Sequence, residues 1–392
     1  MGDKLKVKNL YYITHVNNIP SILERGVLSH DLVKAEGIHP MAIYDEDIIS
    51  SRKNKTTPDG KSLWSYANFY FQPRNPMLFR VTCEKSIDNI AVIALRADVL
   101  NQQGTLVTDG NAASGPSMFY SPSQLSNVLS RIGKQLDEKY WSEQDGSKRK
   151  IMAEILVPDK ASPEFIESIY VANYDVCDKV RQLIQTSSLP IIPQPEMFFQ
   201  PQRRIDLTTH LSVLEGDLFF SRLQTLTVSV NIVRVMGAGL ASRAKYQFPD
   251  VYVKYQDLCR DKTLQMGKPY LYKREASLDL QLADEPEKLT NANAETWFLL
   301  FPTKRHWKEK ADLNGIKKGL EWLQENYNNE GIKSLAVPAL GCGLGWLKWE
   351  EVGPIICSFL YSLEIPVQLY LPVERKIDDK FLSPDFLLGK LD

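Results

Sequence analysis

Four prolines crowd the stretch SSLPIIPQPEMFFQPQRR, residues 187–204, and no other feature constrains the folding of this chain as much. Each proline fixes φ and removes a backbone donor, so neither a helix nor the interior of a sheet is expected to run through it. The stretch reads as the tail of one domain, with the linker to the next complete by residue 211. A length of 392 residues agrees, because it exceeds what one ordinary hydrophobic core supports. The expected division is 1–204 for a first domain, 212–375 for a second, and 376–392 for a C-terminal tail.

The two sides differ in pattern. Before the prolines, short apolar runs such as AVIAL and MAEILVP alternate with turns and one helix-like run, SPSQLSNVLSRIGKQLDEKYW. After them the pattern is regular: TLTVSVNIV, TWFLLFP, KSLAVPAL and PVQLYLP read as strands. GLASRAKYQFPDVYVKYQDLC, LNGIKKGLEWLQENY and WEEVGPIICSFLYSL read as the helices between them. Such alternation implies an α/β domain whose sheet is covered on both faces.

Charge and cysteine usage narrow the function classes. Lys plus Arg is 47 against 48 for Asp plus Glu, a net charge of -1, so there is no global footprint for long duplex DNA or an anionic membrane. Any nucleic-acid contact is local. The five cysteines are odd in number and contain no Cys-x-x-Cys pair, which argues for a reducing compartment and against a disulfide framework or zinc site. His30 and His39 stand too far apart for a local metal pair and His210 is alone, so no metal is expected. The start lacks an apolar leader and no run approaches the length of a membrane span, so a cytoplasmic protein without membrane contact is expected.

In a parallel sheet, ligands bind where strand ends meet loops and helix N-termini, whose amides favour anions. Two glycine loops fit that place. One is NIVRVMGAGLAS, with Asn231, Gly237, Gly239 and Leu240; the other is PALGCGLGWL, with Gly341, Cys342, Gly343, Leu344 and Gly345. The second lacks the lysine of a nucleotide P-loop, and the first has Ser242 where a dinucleotide fingerprint has its third glycine. Each alone is as readily a plain turn; together they suit two phosphates, or one diphosphate held from both sides. Between them FPTKRHWKE places Lys304 directly after a buried strand, with Arg305 beside it to depress its pKa. An amine kept partly neutral can attack the anomeric carbon of a sugar.

LEGDLFF, VNIVRVMGAGLA, FPTKRHW and PALGCGLGWLKWEEV, in this order, closely resemble the macrodomain of the DarG antitoxins. The resemblance implies a three-layer macrodomain that binds ADP-ribose and removes it from a modified DNA base. By that resemblance Asp217 and Leu218 lie near the adenine, Asn231 and the 237–239 loop with Leu240 near the distal ribose, and residues 341–345 around the diphosphate. Lys304 matches the catalytic lysine. Gly345 stands where human-type macrodomains place an aspartate, a feature the DarG branch shares.

In the first half, NFYFQPRNPMLFR interleaves Phe69, Tyr70, Phe71 and Phe79 with Arg74 and Arg80. Aromatic and guanidinium groups together suit stacking on unpaired bases, although a buried strand ending in a proline-bracketed turn is the plainer reading of these residues alone. Glu154 interrupts the apolar run KIMAEILVP; it either points to solvent by alternation or needs a partner or a task. With YYITHVNNIPSILERGVLSHDL, these segments resemble DarT, the NAD-dependent DNA ADP-ribosyltransferase toxins. The resemblance implies a split β-sheet around an NAD cleft. Thr14 and His15 match its NAD-contacting pair, Arg52 its active-site arginine with Ser51 in place of a second arginine, and Glu154 its catalytic glutamate. Tyr70, Arg74, Met77 and Arg80 face DNA, and residues 121–150 select the base.

The expected whole is a toxin–antitoxin fusion that writes ADP-ribose from NAD onto thymine in single-stranded DNA and erases it, with no separate antitoxin required. Two other readings remain: a macrodomain reader carrying a degenerate transferase, and a transferase that modifies proteins.

Overall fold

The computed structural model describes residues 7–43, 52–185 and 187–389, so Ser51 lies outside the described residues. The chain forms two compact units, one of residues 1–199 with 281–291 and one of residues 200–280 with 292–392.

The first unit is built on an eight-stranded sheet, in the order Ile191–Pro193, Ile166–Val171, Ile90–Arg96, Asn9–His15, Tyr66–Tyr70, Glu154–Pro158, Leu106–Thr108 and Phe119–Tyr120. Its strands pair antiparallel except at the Ile191–Pro193 edge. Asn9–His15 matches Ile90–Arg96 along its whole length, yet meets Tyr66–Tyr70 only at Tyr11 opposite Tyr70. The sheet therefore splits there into two halves, as the α+β ADP-ribosyltransferase fold requires. Leu10, Phe69, Ile93, Ile155 and Ile169 form its core with Val128 and Ile132 of the helix Leu125–Asp137.

The proline stretch is more ordered than its composition predicts. Ile191–Pro193 pairs in parallel with Ile169–Val171, and Phe198 is fully buried. Prolines are admitted because this is an edge strand, where a missing donor costs no ladder bond.

The second unit carries a seven-stranded sheet, in the order Arg203–Asp206, Leu211–Glu215, Val367–Tyr370, Leu335–Pro338, Thr225–Asn231, Trp297–Lys304 and Tyr270–Tyr272. The five inner strands are parallel and the two edges antiparallel. Along Trp297–Lys304, Leu299 and Phe301 pack with Ile316, Leu320 and Leu323 of the helix Leu313–Asn326. Phe298, on the opposite face, packs against Phe248 with the ring centroids 4.9 Å apart and the planes tilted by 51°. Helices thus cover both faces, the three-layer α/β macrodomain arrangement. The run from Gly239 to Cys259 is two helices, Gly239–Gln247 and Pro249–Arg260, because Pro249 drives Phe248 out of the helical region, to φ -132 and ψ 72.

Candidate active sites

Thr14 and His15 close the strand Asn9–His15 and are both buried. His15 Nδ1 accepts the Asn17 N–H at 3.1 Å, so the ring's other nitrogen carries the proton in the neutral form. Burial, and then Lys179, lower its pKa. Thr14 Oγ1 accepts from the Asn18 amide at 3.2 Å.

Glu154 opens its strand directly opposite Tyr70, beside the split, and its side chain is 0% exposed. It therefore does not point to solvent. Arg52 grips it with two bonds, Nη1 to Oε1 at 3.1 Å and Nη2 to Oε2 at 2.6 Å, and the Ala112 N–H donates to Oε1 at 2.9 Å. Its own N–H donates to Thr108 Oγ1 at 2.8 Å, which locks the backbone below the carboxylate. Burial alone would lower the Arg52 pKa, but the charge and hydrogen bonds of Glu154 more than offset it and leave it raised.

A second carboxyl acts on this pair through its charge, from a segment with no sequence signal. Residues 281–291 belong to the first unit: the Trp141 indole donates to Leu282 O at 2.9 Å, and Asp284 N donates to Pro76 O at 3.2 Å. The Asp284 carboxyl is pushed up to about 6, by burial first and then by Glu285, with Arg52 and Glu154 among the charges that act on it. His30 lies tilted against Trp64 with the ring centroids 5.4 Å apart, and Lys34 and Lys53 stand 4.3 and 5.3 Å from that indole. Burial, followed by Arg52, pushes His30 down to about 4.

The aromatic–arginine stretch is drawn inward. Tyr70 is buried opposite Glu154, and Met77 is half-buried on the helix Pro76–Glu84. Arg74 donates to Glu196 O at 3.0 Å and to Lys139 O, and lies 4.7 Å over Phe199. Arg80 is buried against Glu84 at 3.6 Å and donates to Lys288 O at 3.4 Å. Residues 121–150 contain the helix Leu125–Asp137 and the buried Trp141.

In the second unit the carboxyl ends of all five parallel strands lead to one edge, where the chain places Asp217, Asn231, Lys304, residues 341–345 and Glu374. Asp217 is paired with Arg243 at 2.6 Å and accepts the Phe219 N–H at 3.2 Å, next to the buried Leu218. Asn231 pins its own loop: its oxygen accepts from Val233 N at 3.0 Å and Tyr255 OH at 2.8 Å, and its amide donates to Val235 O at 2.6 Å. Gly237 and Gly239 are exposed beyond it, before a half-buried Leu240.

In the other loop, Gly341 takes φ 77 and Gly345 is held under the Gly341 carbonyl. Cys342 is buried and burial pushes its thiol up to about 12, so this residue offers the edge backbone rather than sulfur. Leu344 is exposed, and a Cβ built on Gly239 would stand 3.1 Å from its side chain. Lys304 Nζ donates to Leu344 O at 2.7 Å and lies 4.8 Å from the Trp346 ring. Its pKa is lowered as expected, though the cause is burial rather than Arg305. Among the described residues no cluster of three His, Cys, Asp or Glu could hold a metal ion, and no helix is long and apolar enough to cross a membrane.

Comparison with known proteins places both units. Residues 11–199 match the ssDNA thymidine ADP-ribosyltransferase family, DarT, and residues 291–356 match the macro domain. A DNA ADP-ribosyl transferase-DNA ADP-ribosyl glycohydrolase fusion protein of Thermosipho africanus is 54% identical over 98% of this chain and 99% of its own. The structure of Thermosipho africanus DarTG in complex with ADP-ribose matches with a TM-score of 0.92 at 53% identity, over 97% of this chain and 100% of that one. A DNA ADP-ribosyl glycohydrolase of Thermus aquaticus is 34% identical over 42% of each chain. The chain belongs to the family of fused DNA ADP-ribosyl transferases and DNA ADP-ribosyl glycohydrolases, in which a DarT transferase and a DarG-type macrodomain share one polypeptide.

Proposed function

We propose that the first unit transfers ADP-ribose from NAD to N3 of thymine in single-stranded DNA, and that the second hydrolyses it off again with Lys304. The support comes above all from the buried Glu154 carboxylate, held by Arg52 where the first sheet splits. Breaking the bond to nicotinamide builds positive charge on the ribose, and a fixed carboxylate that accepts a ribose hydroxyl stabilises that charge. Thr14 and His15 bind NAD beside it. Arg52 is no base, because its pKa is raised from an already high value; it carries the negative charge that thymine gains on losing its N3 proton. Tyr70 and Met77 meet the unpaired base, and Arg74 and Arg80 brace that wall through Phe199 and Glu84.

In the second unit, Asp217 and Leu218 receive the adenine, and Asn231, Gly237, Gly239 and Leu240 the distal ribose. The backbone of Gly341, Cys342, Gly343, Leu344 and Gly345 receives the diphosphate, with no metal. The lowered pKa of Lys304 supplies a neutral amine for attack on the anomeric carbon. Five free cysteines suit the cytoplasm, where NAD and DNA are found together.

Expression in bacteria tests the pairing of the two activities. Lys304→Ala is toxic, Glu154→Ala in the same chain removes the toxicity, and the wild type is tolerated without a separate antitoxin. Growth of Lys304→Ala cells equal to wild type would overturn the proposal.

A further inference from the structure

A macrodomain that erases a base-linked ADP-ribose must move protons as well as hold the sugar. The obvious place for an acid in this unit is closed: a Cβ at position 345 would stand 2.3 Å from the Gly341 carbonyl oxygen, so the loop admits glycine alone. Two other carboxylates of this unit are occupied. Asp217 is paired with Arg243 at 2.6 Å, and Asp312 accepts the Gly315 N–H as the cap of its helix.

Glu374 differs from them. It follows the strand Val367–Tyr370, the fifth parallel strand to end at this edge, and it is exposed. Its carboxylate lies between the two glycine loops. A Cβ built on Gly343 would stand 2.7 Å from one of its oxygens, and a Cβ on Gly239 3.3 Å from the other. Both glycines leave room for it, and Lys304 bonds the Leu344 carbonyl in the same loop. A carboxylate here opposes a diphosphate by like charge. A residue that only weakened binding would have no use at this point, whereas one that takes a proton from water would.

We propose that Glu374 is the general base of the hydrolase, a reading that rests on the eraser function assigned above. The Lys304 Nζ lone pair bonds to the anomeric carbon as the bond to thymine N3 breaks. The electron pair leaves with the base, which takes up the proton released from Nζ. Water then bonds to the same carbon and the C–Nζ bond breaks, its pair returning to nitrogen. The proton lost by water passes through the Glu374 carboxylate to Nζ, which regains its neutral amine, so one water is consumed and free ADP-ribose and unmodified DNA are released.

The test uses the full-length protein, a thymine-ADP-ribosylated oligonucleotide as substrate, and free ADP-ribose for calorimetry. Glu374→Gln lowers kcat by about 100-fold, with ADP-ribose bound as tightly as by wild type or more tightly. Glu374→Asp restores part of the rate. Wild-type kcat in Glu374→Gln, or a change confined to KM, overturns the assignment and leaves the eraser intact. A wild-type protein that leaves the adduct in place overturns the eraser reading itself, and this assignment with it.

Discussion

At the scale of the residue, the first unit turns on one buried ion pair. Glu154 is 0% exposed and Arg52 closes over it, so removing the guanidinium strands a charge in the core. Arg52→Ala should therefore destabilise the unit by roughly 3 kcal/mol as well as abolish transfer, because a broken buried pair costs more than a lost contact. Denaturant unfolding checks the first part, and unchanged stability would contradict it. His30 gives a pH signature. An unfolded imidazole takes its proton near the ordinary 6.5, but the folded one only near 4. The unfolded state thus gains the proton first, and stability falls as pH drops from 6.5 toward 4, by up to about 3 kcal/mol. His30→Phe should show a flatter profile over that window; parallel profiles would refute the assignment. The proposed role of Lys304 in the other unit gives a pH dependence of its own. Burial lowers its pKa from 10.5, so the neutral amine fraction and the erasing rate rise with pH and level off below the pH expected of a free lysine.

At the scale of the element, the second unit was largely legible from its sequence. Its strands and helices follow apolar periods of two and of 3.6 residues. The parallel order then fixes which loops share an edge, and Asn231 is matched in register with Lys304. Its periodicity runs on across Phe248 as if one helix, where Pro249 starts a second. The first unit was less legible. Glu154 was visible as an interruption in an apolar run, but its partners Arg52, Ala112 and Thr108 lie 102, 42 and 46 residues away, distances no local pattern encodes. The aromatic–arginine stretch carried two readings, and the burial of Tyr70, Phe79 and Arg80 follows from packing that only the fold determines. Glu374 had no signal either, since a lone glutamate after a strand is ordinary. The 341–345 loop yields its own prediction. Gly345→Ala pushes a methyl group against the Gly341 carbonyl, so ADP-ribose affinity should fall at least about 10-fold. Titration calorimetry checks this, and wild-type affinity would show that the loop relaxes freely.

At the scale of the whole molecule, a writer and an eraser occupy one chain at a fixed ratio of one to one. On the proposed assignment the toxic act uses NAD and a buried carboxylate, the remedial act uses water and an amine, and the two sites share no residue. Single substitutions therefore separate them. The first unit also contains residues 281–291, from between two stretches of the second, and these bring the Asp284 carboxyl close enough to act on Arg52 and Glu154. Nothing in the composition of 281–291 marks that placement.

The most direct test is mass spectrometry of short single-stranded oligonucleotides incubated with NAD and the Lys304→Ala protein. A mass gain of one ADP-ribose should appear on thymine-containing strands alone, vanish when Glu154 is also changed to Ala, and be removed by adding wild-type protein. Absence of an adduct on every strand, or an adduct found on the protein and not on DNA, would contradict the account.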